Sequence, residues 1–240
     1  MTFLLGGLLV ALAALLAGTS GFGFGLLATP LLLLSGFSLP FVVTINLLIS
    51  VATRLSVAYR LRASIDRARV ALLVGGSLPG LWIGAHTLTS LSQHTVKVTA
   101  GIAVMAGAAG LALADRRPPG ANWHAAPFVA GFAGGVLGTT TSLIGVPPAL
   151  LLTRQRRAAA SFFADLAVYF VVAGGAGLAI LALSGGFSTH AVPAFGVWLP
   201  GVMAANLVGT TIGLRLPGRA FRLFALALAF TAGLVTVATA

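Results

Sequence analysis

An apolar helix that breaks at glycines and small hydroxyl residues, then resumes through proline into a run of leucines, is written twice in this chain. The first copy is GTSGFGFGLLATPLLLL, Gly18 to Leu34, and the second is LGTTTSLIGVPPALLL, Leu137 to Leu152. Superposing Pro30 on Pro148 sets an offset of 118, close to half of the 240 residues, and the tripeptide LPG recurs at Leu78–Gly80 and Leu199–Gly201 with an offset of 121. A broken helix cannot face lipid, because the backbone groups it frees need protein or a water-filled cavity around them. Two such breaks in matching places of two halves point to the substrate site of a transporter.

Composition places the chain in a membrane. Apolar residues make up 58% and charged residues 7%, against about 25% charge in a soluble domain; mean hydropathy is +1.07. The net charge of +11 would suggest a nucleic-acid partner in a soluble protein, but 12 of the 14 basic residues fall in four short loops, so no nucleic acid is expected. The chain has no cysteine, which excludes disulfides, thiolate metal sites and cysteine nucleophiles. Phe3–Ala17 has the apolarity of a signal-peptide core, yet no basic segment precedes it and it runs straight into the first broken motif. It is read as structure.

Six stretches are long enough to cross a hydrocarbon layer of about 30 Å, which takes about 20 helical residues. They are Phe41–Tyr59, Val70–Leu88, Val96–Ala114, Ala160–Leu183, Val192–Leu214 and Ala220–Ala238. The two stretches with broken motifs, Phe3–Leu34 and Pro127–Thr153, read as re-entrant hairpins of two half-helices. Basic clusters at Arg60/Arg62/Arg67/Arg69, Arg116/Arg117, Arg154/Arg156/Arg157 and Arg215/Arg219/Arg222 belong inside by the positive-inside rule. The N-terminus, Ser35–Pro40, Ser184–His190 and the C-terminus carry no Lys or Arg. Each half then holds one re-entrant element plus three spans, and three is odd, so the second half is inverted relative to the first. The expected fold is an all-α polytopic membrane protein with a first repeat over 1–114, a polar cytoplasmic linker over 115–124, and an inverted second repeat over 125–240. Both termini are expected outside.

The breaks are the first candidate site. Gly21, Gly23 and Gly25 in one copy, and Thr139, Thr140, Thr141, Ser142 and Gly145 in the other, should leave backbone N–H groups unpaired. The following half-helices should start at Pro30 and at Pro147 or Pro148, since proline suits a first turn. Free N–H groups at the positive end of a helix bind anions, and Thr19, Ser20, Thr140, Thr141 and Ser142 add hydroxyl donors. The competing reading is close helix packing by small residues.

Asn46, Ser50, Thr53 and Arg54 share one face of a span. Arg54 lies about 9 Å inside the cytoplasmic edge, where two readings stand: a partner for an anion, or a side chain that snorkels to headgroups. Asp165 is the only carboxylate inside an expected span, with Tyr169 one turn further on the same face. It reads either as a proton-coupling group or as half of an ion pair with Arg54 or a loop arginine. Asn206, Thr210 and Thr211 follow the second LPG and could line the same cavity or bond between helices. The four histidines show no metal-ligand spacing, and no nucleophile elbow, P-loop or HExxH pattern is present. No cofactor and no metal are expected.

At these residues the chain resembles the TauE/SafE family of bacterial membrane permeases. The resemblance covers nearly the whole length and rests on three elements in order: Gly21/Gly23/Gly25 with Pro30 and its leucines, Gly138/Ser142 with Gly145, Pro147, Pro148 and Leu150–Leu152, and Leu78–Gly80 with Gly84. Phe22 and Phe24 interleave the first glycines, and Ala205 stands where the second LPG would have its distal glycine. The resemblance implies an anion permease, with sulfite, sulfonates and related organic acids as substrates. The expected function is a secondary transporter exporting a small anion across the bacterial inner membrane. An uncoupled channel-like permease and a non-transporting scaffold are the alternatives, and a homo-oligomer is open.

Overall fold

Apolar, glycine-rich segments of this kind satisfy their backbone within themselves, and in a computed structural model of the chain they do so as helices. The structure describes residues 2–87, 98, 101–102, 105–106, 109, 124–141, 144–155, 158–183 and 187–238. Among them lie nine α-helices and one short 3-10 turn, Arg62–Ser64, and no strand. The helices are α1 (Thr2–Ser20), α2 (Phe24–Leu34), α3 (Leu39–Arg60), α4 (Arg67–Thr87), α5 (Ala126–Thr141), α6 (Val146–Arg154), α7 (Ala159–Leu183), α8 (Ala191–Arg215) and α9 (Gly218–Ala238).

Among the described residues, four helical segments are long and apolar enough to cross a membrane: Phe3–Ser20, Pro40–Arg60, Ala159–Leu183 and Ala191–Arg215. This is an integral membrane protein. α4 and α9 have comparable length, with 21 residues each. The expected span Val96–Ala114 and the linker 115–124 lie almost wholly outside the described residues.

Both breaks are present, with differences in detail. α1 has 19 residues, a rise of about 28 Å, so the first arm of the first element is far longer than a half-helix. α2 and α6, with 11 and 9 residues, have the expected half-helix length. α6 carries proline at its first positions as expected. α2 does not: it begins at Phe24, and Pro30 lies inside it. The turn that frees α2 to start early is made by Gly21 and Gly23, at φ +81° and +86°, a region that favours glycine.

Two glycine-lined pairs and one central pair organise the packing. α1 packs along α8 and α4 along α5, while α3 packs on α7. A Cβ at Gly76 or Gly80 of α4 would overlap the Phe128 or Phe132 carbonyl of α5, and one at Gly131 or Gly135 would overlap the Leu73 or Ser77 carbonyl of α4. Gly209 and Gly213 of α8 sit likewise against the Leu15 and Thr19 carbonyls of α1. Backbones approach this closely in membrane bundles only where a side chain is missing. α3 contributes to two apolar clusters along its length. Ile45, in its first half, belongs with Val10, Ala14, Leu32 and Trp198; Val57, near its end, belongs with Leu73, Val146, Phe162 and Leu166.

Candidate functional site

The two breaks meet at one cavity. Phe22, Gly23, Phe24 and Gly25 from the first, and Ile144, Gly145 and Val146 from the second, line a space of about 400 Å³ together with faces of α3 and α7. That volume is in the range of small-molecule pockets. α3 contributes Asn46, Ser50 and Arg54, one polar stripe at i, i+4 and i+8.

Among the described residues of the lining Arg54 is the only charged one, and it is 2% exposed. Its Nη2 donates to the Ala17 carbonyl at 3.2 Å, which is near the end of α1, and its Nη1 has no partner. The guanidinium stands over the Phe170 ring, 5.6 Å from the centroid. The side chain therefore turns inward to α1 and α7 and does not reach for the Arg60 end of its own helix. Among the described residues no carboxylate pairs with it, and an unpaired cation at this depth is costly. An anion in the cavity would relieve that cost. Asn46 donates from Nδ2 to Thr29 Oγ1 at 2.9 Å, leaving Oδ1 buried and unpaired.

The other sequence candidates are placed as follows. Gly145 caps α6 against Phe170, where a Cβ would collide with the ring. Gly21 packs against Phe162 and Phe163 and does not line the cavity. Thr19 donates back to Leu15 O at 3.0 Å, and Ser20 to Phe22 O at 2.7 Å, so both hydroxyls serve the local backbone. Thr210 does the same with Asn206 O at 2.8 Å, and Asn206 is buried against α1 through its own carbonyl beside Gly18. Neither lines the cavity. Thr139, Thr140 and Thr141 close α5, and their side chains lie outside the described residues, as does Ser142.

Asp165 is not in the cavity and is not paired with Arg54. It is fully buried, and its Oδ2 accepts from Arg69 in the first turn of α4. Its Oδ1 accepts the backbone N–H of Asp66 at 2.9 Å. Arg69 also pairs with Asp66, so three charged side chains form one cluster between α4 and α7. Tyr169 donates to the Ile144 carbonyl at 3.3 Å, steadying the second break. Sequence reasoning passed over Phe170, Thr29, Gly174 and Gly177, all of the lining. The run AGGAG at 173–177, inside an otherwise large-residue span, was the available signal.

The family description "Sulfite exporter TauE/SafE" matches residues 6–236 of the chain. No curated protein and no solved structure matches it.

Proposed function

This chain belongs to the TauE/SafE family of sulfite exporters, and on that premise we propose that it is a secondary transporter that moves a small anion out of a bacterial cytoplasm. The observation that carries the reading is Arg54: a buried, carboxylate-free guanidinium in a cavity framed by both broken elements. Sulfite, an organosulfonate or a related organic acid would bind there, with the break backbones at Gly23–Gly25 and Gly145 as neutral neighbours.

We read the architecture as an inverted repeat, and three features support this. The pair α1/α8 has the pair α5/α4 as its counterpart, each joining the first arm of one half to a late helix of the other. α3 and α7, the equivalent helices, pack on each other with antiparallel register, since Arg54, Val51 and Leu47 face Phe170, Gly174 and Gly177 in turn. Finally, Asp165 of α7 accepts the backbone N–H of Asp66 ahead of α4, and Thr44 of α3 accepts that of Ser188 ahead of α8 at 3.0 Å. The two acceptors are 121 positions apart and the two donors 122, matching the LPG offset. In this arrangement the Asp66–Arg69–Asp165 cluster closes the cytoplasmic end, and its full use of the carboxylate oxygens favours a structural role for Asp165 over that of a free proton carrier.

The test is equilibrium binding. Purified protein should bind sulfite or an alkanesulfonate, and Arg54→Lys should bind it at least tenfold more weakly, because an ammonium keeps the charge but loses the planar fork. Unchanged affinity in Arg54→Ala would remove Arg54 from the site.

A further inference from the structure

The cavity is larger and more apolar than a bare oxyanion requires, and the sequence of α7 is the reason. Running antiparallel to α3, α7 presents Phe170 at Arg54, then Gly174 at Val51 and Gly177 at Leu47. Beyond them the lining continues to Val43, Ile180 and Leu181. From Arg54 to Val43 the helix rises about 16 Å. Gly174 lets the two helices approach closely, since a Cβ there would stand 2.9 Å from Val51 Cγ2. A Cβ at Gly177 would meet Leu47 methyl carbons at 3.5 and 3.6 Å, ordinary contact, so the lining at 177 admits a methyl and a larger side chain would fill it. Among the described residues, the polar lining is Thr29, Asn46, Ser50 and Arg54, and the remainder is glycine and hydrocarbon.

We infer that the site takes an organic monoanion, with its acid head on Arg54 and an apolar body laid along Leu47, Gly174, Gly177 and Ile180. The inference rests on the anion-permease reading above and narrows it. One guanidinium balances one charge, so a dianion such as sulfate would carry its second charge into an apolar cavity with no second cation among the described lining residues. No carboxylate is among the described lining residues, so the ammonium of a zwitterion such as taurine would be buried without a counter-charge. A hydrocarbon body meets neither obstacle. Each methylene it moves out of water should tighten binding about fourfold.

The experiment is titration calorimetry on the full chain in lipid nanodiscs, with sulfite, methanesulfonate, propanesulfonate, pentanesulfonate, sulfate and taurine as probes. Affinity should rise about sixteenfold from methane- to propanesulfonate and again to pentanesulfonate, while sulfate and taurine give no binding. The rise should vanish in Arg54→Gln, which separates binding in the cavity from partition into lipid. It should flatten in Gly177→Leu, which fills the tail groove. Gly177→Ala, whose methyl the groove admits, should flatten it in part, and decides the matter if the leucine variant does not fold. Equal affinity for sulfite, methanesulfonate and pentanesulfonate, or firm binding of taurine or sulfate, would overturn the inference and leave the anion site standing. Absence of binding by every probe, sulfite included, would overturn the permease reading with it.

Discussion

Replacing Asp165 by Asn probes the one charged cluster that ties α4 to α7. The variant keeps an oxygen for the Asp66 N–H but removes the charge opposite Arg69. Both partners are desolvated, with side-chain exposures of 0% for Asp165 and 6% for Arg69. Breaking a buried pair costs about 3–5 kcal/mol when the surviving charge is left alone. Arg69 is not left alone, because Asp66, with a side chain 42% exposed, still pairs with it. The loss should therefore fall below that range, at about 2 kcal/mol. Asp165→Ala also strips the acceptor from the Asp66 N–H, adding about 1–3 kcal/mol. One kcal/mol moves the melting point of a chain this size by about 2–4 °C. Thermal unfolding in nanodiscs should thus drop by about 4–8 °C for Asn and further for Ala. Asp66→Asn combined with Asp165→Asn isolates the guanidinium and should cost more than the two single losses added. An unshifted melting point for Asp165→Asn, with additive double-variant behaviour, would refute the cluster's role. If that unshifted variant also lost its response to a pH gradient, proton coupling would be the better assignment.

Two further expectations follow from the breaks and the charge bias. Gly145→Val drives a side chain into Phe170, the ring beneath Arg54, so anion binding should be lost at a stability cost of about 1–3 kcal/mol; normal binding, read by calorimetry, would make Gly145 a packing residue only. The proposed topology, with both termini outside and the basic loops inside, predicts that an alkaline phosphatase fusion after Ala240 is active and one at Arg117 inactive, and the reverse pattern would end the inverted-repeat reading.

The sequence carried the breaks, their doubling and the polar stripe of α3, because each is a local pattern: glycines at a helix end, prolines at a start, and Asn46, Ser50 and Arg54 at helical spacing. Those three residues do line the cavity, together with Gly23, Gly25 and Gly145. The partners of the hydroxyls were not legible for a physical reason. Thr19, Ser20 and Thr210 can each bond a carbonyl of the same local chain, and nothing in spacing distinguishes that from a hydroxyl aimed at a ligand. Asp165 stood as an open choice between proton carrier and ion pair, and its partner could not be read in advance, since Arg69 is 96 residues away and was one of several loop arginines. Pro30 inside α2 was hidden too, because the positive-φ glycines before it let the helix start early. Phe170 and Gly177 matter only through the facing register of α3 and α7, a tertiary fact with no local signature.

The central claim is that Arg54 holds a transported anion between the two breaks. Its most direct test is sulfonate and sulfite flux into proteoliposomes, wild type against Arg54→Ala, with insertion and melting point checked in parallel. Wild type should move the anion and saturate with concentration, while Arg54→Ala should insert normally and carry less than a tenth of the flux. Equal flux through both proteins, or none through wild type for any small anion, would contradict the account.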